Sequence, residues 1–331
     1  MKLLVFEFIN GGGFAGQALP ASLVAEGAAM LQALLDELKC LPDLDLILPL
    51  DRRCAVRDCP SDCEVVWIES ANSLLPLLTD LIKRCDAVWP IAPETGGTLA
   101  EIANIAERAG KTLLLSDAQT IAICSDKLST CRVLRDAGIA AVETLSLAAK
   151  STRMPFPRCV VKPCDGVGCE GSRVIDNVDS YTAILSTIGK AERYVVQPYL
   201  DGEAVSLSCL FKHGVGWLLS CNRQQIRHEN GGFVLDGCLV NVESAYQAYY
   251  RDLIGAIARA LPGLWGYIGI DLVETPDRGP VILEINPRLT TSYVGVNPAT
   301  GINVAEQVLA LLDGEPIFSI RQNQPLLVSL H

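Results

Sequence analysis

The run Val160-Val-Lys-Pro-Cys-Asp-Gly-Val-Gly-Cys-Glu-Gly-Ser-Arg-Val-Ile175 places Lys162 four residues ahead of three glycines, Gly166, Gly168 and Gly171. Their GxGxxG spacing alone invites a dinucleotide reading, but such a fingerprint must open a helix whose N-terminus faces a pyrophosphate. Here Ser172 to Ile175 is strand-like, so the glycines predict a hairpin. Glycine lets backbone N–H groups approach phosphate oxygens that any Cβ would hold off, and Lys162 adds a point charge to the same phosphates. The plainer alternative is a flexible hairpin with a surface lysine.

A second constellation lies in Gly269-Ile-Asp-Leu-Val-Glu-Thr-Pro-Asp-Arg-Gly-Pro-Val-Ile-Leu-Glu-Ile-Asn-Pro-Arg288. If the turn is centred on Asp277-Arg278, Asp271 faces Glu284 across a hairpin, and Asn286 shares the face of Glu284 because strand side chains alternate. Directly opposed like charges cost about 0.2–1 kcal/mol unless something positive lies between them. Two carboxylates and an amide oxygen suit a hard divalent cation, Mg²⁺ or Mn²⁺, held with substrate phosphates. A solvated acidic face is the alternative, and the assignment depends on the turn register. Arg288 points to the same face if the strand continues through Pro287; it would stabilise charge developing in phosphoryl transfer, or simply pair with Glu284.

Between these segments, Tyr194-Val-Val-Gln-Pro-Tyr-Leu-Asp-Gly-Glu203 is a strand interrupted by Pro198. Backbone groups spared from a sheet by proline can read an adenine edge, and Glu203 can accept from ribose hydroxyls; the same residues also make an ordinary strand end. Arg223 falls on a later strand, followed by a polar stretch, Arg227 to Gly232, that reads as a mobile loop able to close over phosphate or as a plain hairpin connection.

The elements that must position these groups fall into two patterns. Residues 2–9, 86–91 and 112–115 read as apolar strands, alternating with helices over 19–38 and 98–109, which predicts a parallel, doubly wound α/β domain. From Ser116 onward the chain reads as a helix over 126–136, the glycine hairpin, a helix over 178–188, and strands over 194–199, 204–211, 216–226, 266–274 and 281–286 with a helix over 244–260. That is a mostly antiparallel α+β region. The division expected is 1–118, 119–195 and 196–331.

Composition limits the functions available. The 331 residues carry 27 basic and 38 acidic side chains, a net charge of −11, the wrong sign for broad nucleic-acid binding. No apolar run approaches the 18 or so residues of a membrane span. The start reads as a first strand rather than a signal peptide, so a cytoplasmic protein acting on small molecules is expected, with a homodimer left open. Thirteen cysteines, an odd number, suit reduced core residues. Cys54, Cys59 and Cys63 cluster without a CxxC pair or a nearby histidine, which disfavours zinc.

In order and type these parts resemble the ATP-grasp superfamily, most specifically through Val-Val-Lys-Pro before the glycines and Leu-Glu-Ile-Asn-Pro-Arg near the carboxyl end. The resemblance implies a small α/β domain followed by two antiparallel-sheet subdomains that clamp ATP. It implies that Lys127 and Lys162 touch phosphates beneath Gly166, Gly168 and Gly171, that Gln197 and Leu200 hold adenine through backbone groups, and that Glu203 holds ribose. Asp271, Glu284 and Asn286 would bind Mg²⁺ or Mn²⁺, Arg223 would meet the γ-phosphate and Arg288 an acyl phosphate. Within the superfamily the chain is similar to the tyramine–glutamate ligase group of methanofuran biosynthesis, through Glu26-Gly-Ala-Ala-Met-Leu31, Ile91-Ala-Pro-Glu94, Asn222-Arg-Gln224 and Glu284 to Ser292. Gly11 to Gly13 would lie near where substrate enters, and Glu94 would contact substrate, cap a helix or serve as a structural hydrogen-bond partner. The implied chemistry joins a carboxylate to an amine through an acyl phosphate, with few protein acids or bases needed. A nucleotide-binding module without chemistry, a kinase, and a ligase for another amino acid or peptide are the competing readings.

Overall fold

The computed structural model describes residues 1–54, 58–60, 63–69, 74–147, 153–189 and 193–330. The first third builds a five-stranded parallel sheet from β1 (Lys2–Glu7), β2 (Asp45–Asp51), β3 (Glu64–Ile68), β4 (Ala87–Ile91) and β5 (Thr112–Leu113), in the order β3-β2-β1-β4-β5. Its central strands are apolar on both faces because helices cover both. Leu3 and Val5 of β1 face Leu31, Leu34 and Leu35 of α1 (Ala21–Leu38). Leu4 and Phe6 face α2 (Leu74–Arg84) and α3 (Thr98–Arg108), through Leu78, Ile82, Leu99 and Ile102. Strands β2 and β3 and helix α2 were not read from the sequence.

In this order the chain switches direction between β1 and β4, and the carboxyl ends of those strands open the crevice where such sheets place ligands. Glu7 ends β1, and its buried carboxylate accepts from the Ile9 N–H at 3.0 Å, the Asn10 N–H at 2.7 Å and Asn10 Nδ2 at 2.6 Å. Ile9–Gly13 winds into a π-helical turn, so the strand ends at Glu7, two residues before the expected Ile9. A Cβ on Gly11, Gly12 or Gly13 would meet Phe6, Ile68 or Phe8 at 2.7, 2.5 and 2.4 Å. These glycines serve close packing.

Helices α4 (Ala118–Ser125) and α5 (Lys127–Asp136) follow, capped by Asp117 and Asp126, whose side chains accept from Thr120 N and Ser129 N. The middle sheet, in the order β6-β9-β7-β8, contains β6 (Leu145–Ser146), β7 (Cys159–Pro163), β8 (Arg173–Ile175) and β9 (Tyr194–Pro198), with α6 (Val178–Thr187) packed on it. A boundary at 195/196 would cut β9; the passage between sheets is Tyr199 to Gly202. Leu134 of α5 and Cys124 of α4 pack into the core of the third sheet, so these helices lean on the C-terminal part.

That third sheet is antiparallel, in the order β14-β13-β10-β11-β12-β15, from β10 (Glu203–Lys212), β11 (Val215–Glu229), β12 (Gly232–Val240), β13 (Gly266–Thr275), β14 (Gly279–Asn286) and β15 (Leu326–Ser329). Helix α7 (Gln247–Ala260) covers one face through Tyr250, Ile254 and Ile257. The stretch Arg227 to Gly232 is the tip of the β11–β12 hairpin rather than a loop. Pairing continues to Glu229↔Gly232, and Asn230 and Gly231, both at positive φ, form the turn. No helix among the described residues is long and apolar enough to cross a membrane.

The first and last parts share a core, formed where α8 (Tyr293–Thr300) and α9 (Val304–Ala310) meet α1. At its centre Glu37 Oε2 accepts from Tyr293 OH at 2.9 Å and from Ala305 N–H at 2.7 Å. Burial is the main cause that pushes its carboxyl up to about 7. A raised carboxyl favours folding fully below the ordinary carboxyl range, and that contribution, about 3 kcal/mol, is lost as pH rises through about 7. Glu37→Gln keeps an oxygen for both donors and carries no charge, so its unfolding free energy should lose most of the slope between about pH 4.5 and 7; denaturant melts across that range are the check.

Candidate active site

The two sheets enclose a cavity of about 570 Å³ lined by Lys162, Gly168, Gln197, Leu200, Asp271 and Glu284 among others. Its acidic floor comes from β13 and β14, where Asp271 faces Glu284 and Gly269 faces Asn286. The turn itself is one residue out of the expected register, since Thr275 faces Gly279 and Leu272 faces Ile282. An irregularity between Asp271 and Leu272 leaves Leu283 as an extra residue and restores the pairing at the carboxylates.

Both oxygens of Asp271 are held by amides, Oδ1 by Gln224 Nε2 and Oδ2 by Asn286 Nδ2, each at 2.9 Å. Burial, with the charge of Glu284 adding to it, pushes the Asp271 carboxyl up to about 7. Burial acts on Glu284 in the same sense, but the ammonium groups of Lys127 and Lys162 outweigh it and hold that carboxyl below its ordinary value. Lys127 Nζ is 3.0 Å from Glu284 Oε2 and donates to the Gly166 carbonyl at 2.5 Å, while its own N–H bonds Cys164 O at 3.1 Å. The start of α5 is thereby tied to the glycine hairpin, and Cys164 Sγ to Asp126 Oδ2 at 2.9 Å adds a second tie. Lys162 lines the cavity; burial lowers its pKa, with Glu284 opposing the shift.

The hairpin runs from β7 to β8, and Gly168 and Gly171 take left-handed φ values of 57° and 68°. Gly166 does not; its carbonyl is engaged by Lys127. The far end of the hairpin is clasped by the third sheet, because Val174 N–H donates to Gly231 O at 2.8 Å. Gln197 spends its side-chain amide on Thr144 Oγ1 at 2.9 Å, so its backbone is what remains for a ligand, and Leu200 lies beside it in the cavity wall.

Arg288 enters by a turn, since β14 ends at Asn286 and the Arg288 N–H bonds Asn286 O at 2.9 Å. Its Nε is 2.9 Å from Glu94 Oε2, making Glu94, at the carboxyl end of β4, its partner in place of Glu284. Glu94 therefore caps no helix. The following segment is fastened by hydroxyls: Ser292 Oγ lies 3.0 Å from Thr290 Oγ1 and 3.1 Å from Ser208 Oγ, and Tyr267 OH donates to Ser208 at 2.9 Å.

The structure keeps Arg223 apart from this group. Arg223 faces Val205, whose side chain packs beneath α7, so alternation turns it away from the face carrying Gln224 and Asp271. It forms a two-point ion pair with Glu203, at 2.6 and 2.8 Å, at the half-exposed rim of the cavity. Gln224, one residue on, is the group that reaches Asp271, and strand alternation with Asn222 was the available signal for it. Glu26, held by Thr291 Oγ1, lines the cavity from α1 and was not read as a site residue.

All thirteen cysteines are free thiols. Among the described residues no group of three or more His, Cys, Asp or Glu side chains converges to hold a metal. A donor set of two carboxylates and an amide, all oxygen and partly neutralised by lysine, fits a hard cation shared with phosphate.

Comparison with known proteins agrees with this geometry. Residues 124–292 match the ATP-grasp domain and residues 44–121 the pre ATP-grasp 3 domain. The chain is 24% identical over 318 residues to the tyramine–L-glutamate ligase of Methanocaldococcus fervens, covering 95% of each. To the tyramine–L-glutamate ligase of Methanocaldococcus jannaschii it is 26% identical over 322 residues, covering 95% of this chain and 90% of that one. The crystal structure of N5-carboxyaminoimidazole synthetase from Staphylococcus aureus complexed with ADP superposes with a TM-score of 0.72 at 17% identity, over 98% of this chain and 80% of that one. With sheets, cavity and sequence profile in agreement over both halves, the chain belongs to the ATP-grasp family, as an ATP-grasp carbon–nitrogen ligase.

Proposed function

We propose that the protein joins an amino-acid carboxylate, glutamate first among candidates, to an amine such as tyramine, forming an amide through an acyl phosphate. The observation that carries this reading is the meeting of Lys162, Asp271, Glu284 and Arg288 around one cavity roofed by a glycine hairpin, with Lys127 paired to Glu284. ATP binds there with adenine against the backbone of Gln197 and Leu200, its phosphates between the lysines and Gly166, Gly168 and Gly171. Glu203 takes the ribose, and its pairing with Arg223 orients it for that contact. Arg223 thus serves the nucleotide at the ribose end rather than at the γ-phosphate.

Asp271, Glu284 and Asn286 would hold Mg²⁺ or Mn²⁺, which would supply neutralisation of phosphate charge when bound. The side chains do the remaining work by position and charge: Lys127 and Lys162 draw the triphosphate inward, the hairpin excludes water, and Arg288 neutralises the carboxylate as it becomes an acyl phosphate. The names of the two methanocaldococcal relatives support glutamate and tyramine as the first pair to try.

The test is ADP release with Mg²⁺ and ATP across glutamate and other amino acids, each with tyramine, tyrosine or an aliphatic amine. ADP formed only when carboxylate and amine are both present, with an amide product by mass spectrometry, supports the reading. Tight ATP binding without turnover, or a stable phosphorylated product, overturns it.

A further inference from the structure

Two opposite charges stand in the wall of the cavity between the sheets without pairing to each other. Glu26, on α1, and Arg288, after β14, both line it, and Glu26 is among the carboxylates that favour the charged guanidinium of Arg288. Each is held by its own partner. Arg288 gives Nε to Glu94 and Nη1 to the Leu289 carbonyl at 3.0 Å, while Nη2 has no protein partner among the described residues. Glu26 receives Thr291 Oγ1 on Oε1, and Oε2 has none. Thr291 follows Arg288 by three residues, so one segment delivers the guanidinium and also holds the Glu26 carboxylate in the same cavity wall.

Behind Arg288, Glu94 Oε1 is buried without a hydrogen-bond partner, and Glu26, with no cation paired to it among the described residues, lies close enough to buried Glu7 to disfavour its charge. A ligand with a carboxylate for the free edge of a guanidinium and N–H donors for a carboxylate matches this wall; that is the zwitterion of an amino acid. We infer that Glu26 and Arg288 together clamp the donor amino acid, Arg288 taking the carboxylate to be activated and Glu26 the ammonium group. The inference rests on the ligase reading above and adds the element that selects amino acids over plain carboxylic acids.

The test uses hydroxylamine as acceptor, which is mostly uncharged at pH 7.5 and needs no ammonium site. The donor carboxylate attacks the γ-phosphorus, releasing ADP; hydroxylamine nitrogen then attacks the acyl carbon, losing a proton and expelling phosphate, so a hydroxamate accumulates. Glutamate should exceed its analogue without the amino group, glutarate, by about tenfold or more in kcat/KM. In Glu26→Gln that ratio should fall below about threefold, through the glutamate KM rather than kcat. Thr291→Val, which frees Glu26, should lower the ratio in the same direction and serves if Glu26→Gln does not fold.

Calorimetry of glutamate and glutarate with a non-hydrolysable ATP analogue and Mg²⁺ reads the same preference without turnover. A preference seen there with no ligation would overturn the ligase reading and leave the clamp standing. Equal losses for both acids in Glu26→Gln, or an unchanged ratio, would overturn the clamp.

Discussion

Glu284→Gln should lower ADP-forming turnover by about a thousandfold or more, the largest loss expected of a single substitution in this protein. Both buried lysines act upon Glu284, with Lys127 Nζ at 3.0 Å. Its charge does two things in the proposed mechanism: it keeps Lys127 beneath the hairpin and supplies a charged ligand to the divalent cation. Glutamine retains an oxygen for the Lys127 ammonium, so the fold should survive while the charge is lost. Glu284→Ala should be less stable by about 3–5 kcal/mol, because it leaves a buried ammonium without its counter-charge. Asp271, whose carboxyl is raised by burial first and by Glu284 second, should move back toward its ordinary range in either variant. Steady-state ADP release at saturating Mg²⁺, with a thermal melt of the same samples, is the measurement. Turnover within tenfold of the parent in a folded Glu284→Gln sample would remove this residue from the metal site.

The site was more legible in the sequence than the elements that carry it. Asp271 and Glu284 lie on either side of one hairpin, so pairing them required only a turn position; the turn was misplaced by one residue, and the irregularity at Leu283 cancelled the error where it mattered. Period-2 alternation then placed Asn286 correctly, but applied to β11 it argues for Gln224 over Arg223, a distinction that attention to charge alone misses. Arg288 and Glu94 could not be paired from sequence, because their 194-residue separation is closed by packing between the first and third sheets. The stretch Arg227 to Gly232 is polar since it is a hairpin tip with Asn-Gly at the turn, and polarity does not separate a tip from a loop. Gly11 to Gly13, expected near a substrate entrance, have a packing reason of their own that the sequence does not show: Phe6, Ile68 and Phe8 leave no room for a Cβ.

Arg288→Lys should lower kcat by about a hundredfold to a thousandfold while moving the KM for ATP less than threefold. Arg288 is almost enclosed, 13% exposed, and its orientation is set by Nε on Glu94 and Nη1 on Leu289 O. A lysine can retain the charge and one of these contacts, but it has no planar fork with which to hold both and still present a donor to the substrate. Charge alone would therefore not rescue the rate, which separates a placed guanidinium from a general positive field. Glu94→Gln tests the same geometry from the other side: it keeps an acceptor for Nε, removes the carboxylate that favours the charged guanidinium, and should lower kcat less than Arg288→Lys does. The two losses should not add, because a misplaced Arg288 and a missing one deprive the acyl phosphate of the same stabilisation. A double variant much slower than Arg288→Lys would show that Glu94 acts independently of Arg288, and Arg288→Lys retaining a tenth of parental kcat would show that the guanidinium does not meet the reacting carboxylate.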